Sequence, residues 1–353
     1  MKKLFFLAIS VFVFATSCKT EEKDKYVIGF YNVENLFDVS DDPHKDDAQF
    51  LPDGQNKWTQ DKYEMKLHNI AYAISSMAQD NGQFHSVLGV AEVENFHVLD
   101  DLLAQPELKK ANYRYIHYEG PDTRGIDVAL LYDPKVLKVI DSKSIPYDFN
   151  TKSIVFEKTE REQAEFRTRD VLMVRGTIED EMFAFFVAHL PSRQGDKGMD
   201  LRSRGAEIIY ENALSLMEEF PGIKIVVMGD MNDDPVDESM TEYLHAVENI
   251  SDVEKDDFFS PFISMLKAGY GSLEYRGTWE IFDQILVNDA LTEGEGLKIR
   301  RIEADRFFAK VYKKDFLIQQ EGRYKGTPFR TFSSGDFANG YSDHLPTFIE
   351  ISK

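Results

Sequence analysis

The chain has 353 residues, 42% of them apolar and 13% aromatic, with a formal net charge of −21. That length is ample for a buried core in one large domain or two medium ones, and the apolar share excludes a disordered or low-complexity protein. The charge excludes the broad basic surface of a tight nucleic-acid binder; it leaves turnover-type contact with a polyanion, a small phosphorylated substrate, or acidity that only keeps the protein soluble.

At the amino terminus Lys2 and Lys3 precede an apolar run from Leu4 to Ala15 that stops at Thr16, Ser17 and Cys18. The run is shorter than the about 20 residues a membrane span needs and reads as a signal peptide over residues 1–17. Ala15-Thr16-Ser17-Cys18 resembles a bacterial lipobox, which makes Cys18, the only cysteine, the lipid-modified mature terminus. A lone thiol has no intrachain disulfide to make. Residues 18–25 then read as the lipidated cysteine and a charged tether. Because a lysine followed by acids resembles a surface-export tag, the expected address is the cell envelope, as an outer-membrane lipoprotein on the periplasmic or the outer face.

Tyr26–Tyr31 predicts a first strand, followed at once by Asn32, Glu34 and Asn35. An acidic loop over Ser40–Lys57 leads to a helix over Thr59–Gln79, where Tyr63, Leu67, Ile70, Ala71, Ile74 and Met77 recur at three- and four-residue spacing and Thr59 is placed as the N-cap. Ser86–Ala91 predicts a strand ending in Glu92, and Phe96–Ala104 a helix. Tyr113–Tyr118 and Asp127–Tyr132 read as a hairpin around the Glu119–Gly125 turn. Val136–Tyr147, Asp170–Ile178 and Met182–Ala188 read as strands, the last ending in His189 and Arg193. A loop over Gln194–Gly198 and a helix over Leu201–Phe220 deliver the chain to Ile225–Pro235, IVVMGDMNDDP, in which a β-branched run breaks at Gly229 and hands over to Asp230 and Asn232. Short helices are expected over Glu238–Val247 and Pro261–Lys267, and strands over Ile281–Val287 and Thr347–Ile351. Asp289–Tyr341 carries no readable period. With no repeat and no linker inside 26–351, one catalytic domain over residues 26–353 is expected, acting as a monomer.

Polar residues thus recur where apolar runs stop: Asn32, Glu34, Glu92, His189, Asp230, Asn232, Asp343 and His344. Asp283 lies just inside a strand, and a carboxylate there implies a cationic or hydrogen-bonding partner. The set is rich in oxygen, holds two histidines and lacks H-E-x-x-H, so it suits Mg²⁺, Mn²⁺ or Ca²⁺ better than structural zinc.

The segments FYNVEN, GVAEVEN, RGIDVALLYDP, VAHLPSR, MGDMNDDP, IFDQILV and YSDHLP, in that order, resemble the motif series of the endonuclease/exonuclease/phosphatase superfamily, which includes deoxyribonuclease I. NVENLFD and RGIDVALLYDP are similar to bacterial secreted endonuclease-like members. The resemblance implies a four-layer α/β sandwich of two mixed sheets flanked by helices, with a metal-dependent phosphoesterase site at one rim. It implies metal ligation by Glu92, with Glu34 and Asp343 assisting. Asp230 would deprotonate or orient water, Asn232 would hold water or phosphate, and Asn32 would hydrogen-bond nearby. His344, aligned by Asp283, would stabilise charge on a phosphate oxygen, and His189 and Tyr118 would contact the phosphate. Arg124 and Arg193 read equally as phosphate contacts or as solvated turn residues. The expected activity is phosphodiester hydrolysis of nucleic acid; the alternative substrate is a phospholipid, sphingolipid or inositol phosphate, and a third reading is an inactive surface lipoprotein that binds a partner.

Overall fold

The computed structural model describes residues 25–193, 198–302 and 306–353. The expected signal peptide, Cys18 and nearly all of the tether lie outside the described residues, as does most of the Gln194–Gly198 loop. Among the described residues no helix is long and apolar enough to cross a membrane.

Two strand–helix–strand units build the frame. In the first, β1 (Lys25–Leu36) leads through α1 (Gln60–Asn81) to β2 (Val87–Val93), and the two strands pair in parallel. Parallel neighbours cannot be joined by a tight turn, so the crossover helix is obligatory. The expected apolar stripe of α1 is its buried face; Thr59 stands at the N-cap with extended backbone, although its hydroxyl makes no capping bond. α2 (Phe96–Leu103) is capped by Asn95, whose side chain accepts the backbone N–H groups of His97 and Val98. β3 (Arg114–His117) and β4 (Asp127–Tyr132) form the expected hairpin.

β5 (Lys138–Ile145), α3 (Glu160–Glu165) and β6 (Val171–Ile178) lead to the second unit: β7 (Glu181–His189), α4 (Met199–Glu219) and β8 (Lys224–Asp230), with β7 and β8 again parallel. The first sheet runs in the order Lys298–Arg300, Thr347–Ser352, β1, β2, β4, β3, with Ala309–Val311 also on Thr347–Ser352. The second runs β5, β6, β7, β8, Asp283–Asn288, Phe258–Phe259, Ala246–Val247.

Alternation along β7 explains the layering. Phe183, Phe185 and Val187 enter the core that both sheets share, whereas Ala184, Phe186 and Ala188 pack with Ile208, Ile209 and Ala213 of α4. A strand covered on both faces reads as an unbroken apolar run, which is how β7 and β8 appear in sequence. Gly229 is required by close approach: a Cβ there would stand 2.2 Å from the Ala188 carbonyl oxygen of the paired strand.

Two expectations change. The helix expected over Glu238–Val247 is shorter, a five-residue π-helix over Ser239–Tyr243; His245 then turns the chain at φ +55°, and Ala246–Val247 joins the sheet edge. The unread Asp289–Tyr341 stretch supplies the edge strands Lys298–Arg300 and Ala309–Val311, each too short to carry a period.

Candidate active site

The carboxyl ends of both parallel pairs reach the same rim. Asn32, from β1, donates through Nδ2 to Glu92 Oε1 at 3.1 Å and, across the sandwich, to Asp230 Oδ2 at 2.9 Å. His189 faces Asp230 in the β7–β8 register, with Nε2 3.6 Å from Asp230 Oδ2 and 3.9 Å from Glu92 Oε1. The antiparallel neighbours begin at this rim. Asp283 is the register partner of Asp230, and His344 stands just before Thr347, the partner of Phe30. His344 Nδ1 meets Asp283 Oδ2 at 2.7 Å, and Ser272 Oγ donates to the same oxygen at 2.6 Å. The buried Asp283 therefore has the partners its position demanded.

The expected strand ends are in part bulges. β1 continues past Tyr31 to Leu36 through a register shift, with Glu34 at φ +52° and Asn35 at +50°. β2 shifts register against β4 between Ala91 and Val93, placing Glu92 at φ +65°, and Asn232 follows β8 at φ +51°. Left-handed backbone is costly for residues with a Cβ and persists where surrounding structure imposes it, commonly beside functional groups. Here the imposing bonds are visible: Glu34 N–H donates to Asn32 Oδ1, Asn35 N–H to Glu92 Oε2, and Asn232 N–H to Asp230 Oδ1.

Burial and charge then set the protonation states. Burial lifts the Asp230 carboxyl to about 6, with the His344 charge opposing and the Asp283 charge assisting. Burial disfavours the His344 imidazolium, but Asp283 and Asp230 outweigh it and hold this pKa well above the ordinary value. His189 goes the other way: burial and the charges of Arg169, Arg124 and His344 keep it neutral. One carboxylate poised near neutrality, one imidazolium and one neutral imidazole at a single rim form an acid–base set.

The residues fit a divalent cation. Glu92, His189 and Asp230 each offer a ligand atom, all within 4.8 Å of one another. Glu34 and Asp343 are placed differently: Glu34 accepts Thr331 N–H at 2.7 Å, and Arg330 pairs with both Asp343 and Glu34. Burial and the Asp343 charge raise Glu34 to about 7. Burial lowers the pKa of Lys66, and the charges of Glu34, Asp343 and Glu92 oppose that fall; its ammonium lies 3.8 Å from Glu34 Oε2 and donates to Thr331 Oγ1 and the Tyr341 carbonyl. Such crowding of hard oxygen donors suits Mg²⁺ or Mn²⁺.

Other candidates lie farther out. The Tyr118 hydroxyl bonds Ser142 at 2.9 Å, joining the two sheet edges, and no described bond ties it to the cluster. Arg124 is half exposed beside Asp122, near enough for its charge to act on His189. Arg193 takes a role that the sequence did not suggest: its guanidinium contacts Asp233 at 2.9 Å, Glu280 at 3.0 Å and Asp237, and covers the Phe282 ring at 4.6 Å, so it clamps the loop after β8 with each of its three nitrogens on a carboxylate. Asn232 Nδ2 donates to the Leu190 carbonyl.

Sequence reasoning missed Lys66, Arg330, Arg169 and Ser272. Lys66 lies three residues from Tyr63 and four from Ile70, on the buried stripe of α1, which was a usable signal. Arg169 is buried and bonds the carbonyls of His189 and Leu190 and the Asp122 carboxylate; standing just before β6, it had no such mark.

The fold is shared with known structures. An endonuclease/exonuclease/phosphatase family protein from Bacteroides thetaiotaomicron superposes with TM-score 0.53 at 15% identity, covering 94% of this chain and 98% of that one. TDP2 of D. rerio, solved with a single-strand DNA product, gives 0.52 at 14%, covering 93% and 99%. A B. thetaiotaomicron mannosyl-6-phosphatase gives 0.52 at 16%, covering 93% and 100%. Among curated proteins none matches the sequence. Fold and site together define a phosphoesterase of the deoxyribonuclease I-like, two-sheet kind. The chain belongs to the endonuclease/exonuclease/phosphatase family, whose profile matches residues 27–353.

Proposed function

We propose that this protein is a divalent-metal-dependent phosphodiesterase that hydrolyses nucleic acid at the cell envelope, carried there by a lipidated Cys18. The observation that carries the reading is the meeting of Asn32, Glu92 and Asp230 at one rim with the Asp283–His344 pair beside them. Glu92, assisted by Glu34 and Asp343, would hold Mg²⁺ or Mn²⁺, with Ca²⁺ as the other oxygen-seeking candidate. Such an ion supplies polarisation of a phosphoryl oxygen and stabilisation of the leaving alkoxide.

The chain's own groups supply the rest. Asp230, ionised above about 6, accepts the proton of the attacking water, and Asn32 holds its Oδ2 in place. Asn232, fixed by its bond to Leu190, orients water or phosphate at that position. Protonated His344, aligned by Asp283, donates from Nε2 to a phosphate oxygen as charge builds there. Neutral His189 contacts the scissile phosphate without adding charge, and Arg124 and Tyr118 serve the substrate farther along the rim.

A second reading keeps the chemistry and changes the substrate to a small or lipid phosphoester. It is favoured by the engagement of Arg193 with three carboxylates, which offset the positive charge that a polyanionic backbone would use. Fold alone does not choose between them, because this family spans both. The experiment is hydrolysis of plasmid DNA, structured RNA, sphingomyelin and a soluble inositol phosphate, with Mg²⁺ or Mn²⁺ against chelator. Metal-dependent plasmid nicking supports the nuclease reading; turnover of only the lipid or small ester overturns it in favour of the second.

A further inference from the structure

Apart from the Asp230 cluster, the β3–β4 hairpin gathers a second set of donors. Its register sets Ile116 against Leu130 and His117 against Ala129. Carried two residues on, the same register sets Glu119 opposite Asp127, and His117 and Glu119 fall on one side of the ribbon because strand side chains alternate. Accordingly His117, Glu119 and Asp127 each offer a ligand atom, all within 4.8 Å of one another.

The histidine is the informative member. Its side chain is only 4% exposed, and its buried Nε2 makes no hydrogen bond among the described residues. It points to Asp127 Oδ2 at 3.5 Å, beyond hydrogen-bonding geometry, and a buried ring nitrogen without a partner is a cost that native structures rarely leave standing. The Asp127 carboxylate is held at that same oxygen: Gly120 N–H donates to Oδ2 at 3.1 Å, and a Cβ on Gly120 would lie 2.4 Å from Oδ1. The neighbouring cation does not neutralise the group by direct contact. Lys45 Nζ donates instead to the carbonyls of Gly120 and Asp122, at 2.8 and 3.1 Å.

We propose that His117, Glu119 and Asp127 form a binding site for one first-row divalent transition-metal ion of the Zn²⁺ type, with the remaining position left to water. One imidazole and two carboxylates match such an ion, whereas Mg²⁺ and Ca²⁺ take oxygen donors alone. The ion closes the mouth of the hairpin and pins the Glu119–Gly125 turn, on which Arg124 stands beside Asp122. The site is separate from the carboxylates assigned to catalysis and stands whether or not that assignment does.

Co²⁺ is the probe, because an imidazole–carboxylate site of low coordination gives it visible ligand-field absorption. The titration is made on the purified wild-type protein and on Glu92→Gln/Asp343→Asn, which disarms the candidate catalytic carboxylates. One equivalent of absorbing Co²⁺, displaced by Zn²⁺, is expected in the double variant, and wild type should bind that equivalent in addition to any held by Glu92, His189 and Asp230. Glu119→Gln, an exposed position that leaves the fold intact by circular dichroism, should weaken binding about tenfold or more, and His117→Gln should remove the absorption. Absence of the absorbing equivalent in the double variant, or an affinity there unchanged by Glu119→Gln and His117→Gln, would overturn the site.

Discussion

His344 Nδ1 and Asp283 Oδ2 stand 2.7 Å apart, with Asp283 fully buried and Ser272 closing the other side of the same oxygen. The pair fixes the imidazolium so that its Nδ1–H donates to the carboxylate, and Nε2 is turned toward Asp230 at 3.8 Å. A histidine held in this way is oriented by Asp283 and kept charged at neutral pH by Asp283 together with Asp230.

Asp283→Asn should therefore lower kcat by about 10²–10⁴-fold, the range for loss of a positioned acid–base group. KM should change far less. NMR titration of His344 checks the cause: its pKa must fall toward the ordinary imidazole value in the variant. A kcat loss with an unmoved His344 titration would contradict the pairing as the source.

The pH–rate profile follows from the two shifts at the rim. Asp230 must be ionised to accept a proton, so kcat/KM should rise with pH along a limb at or below about 6. His344 must stay protonated, and its pKa lies well above the ordinary value, so no falling limb should appear near pH 6.5. A fall in rate beginning there would assign the acid to an unperturbed histidine and contradict the charge arrangement.

Arg193→Ala tests the clamping role of that arginine. With three carboxylates left facing one another, stability should drop by about 1–3 kcal/mol while KM stays at the wild-type value. Urea unfolding and steady-state kinetics on the same preparation decide it. A raised KM with intact stability would restore Arg193 as a phosphate contact.

His85 sets an acid limit far from the site. It is fully buried, neither ring nitrogen has a hydrogen-bond partner among the described residues, and burial holds its pKa at about 4. The unfolded chain protonates this group near 6.5, so between those values it binds more protons unfolded than folded. Stability is whole above about pH 6.5 and declines as pH falls toward 4, by up to about 3 kcal/mol from this residue. His85→Leu should lose less stability than wild type between pH 7 and 4.5 in urea unfolding. An equal loss in both proteins would contradict this source.

Legibility from sequence followed the range of the interactions. The strands were plain because burial on both faces leaves an apolar run, and Asn32, Glu92, His189 and Asp230 stood out because they interrupt such runs. The bulges were not plain. Glu34 and Glu92 adopt left-handed backbone without a glycine to mark it, so the apparent strand ends concealed strands that continue. The partners of Glu34 lay beyond any local pattern: Thr331 and Arg330 reach it from nearly three hundred residues away, out of the stretch with least regular structure. Lys66 shows the opposite case, a charge on an apolar stripe whose position already required a buried partner.

The most direct test of the central claim, that the rim where Asn32, Glu92, His189, Asp230, Asp283 and His344 meet is the centre of phosphoester hydrolysis, is the rate of Asp230→Asn against wild type. The comparison uses whichever substrate wild type turns over, at saturating Mg²⁺ or Mn²⁺, with matched circular dichroism spectra to show that both proteins are folded. A fall of at least about 10²-fold in kcat is expected from loss of the base. A folded Asp230→Asn protein hydrolysing at the wild-type rate would contradict the account.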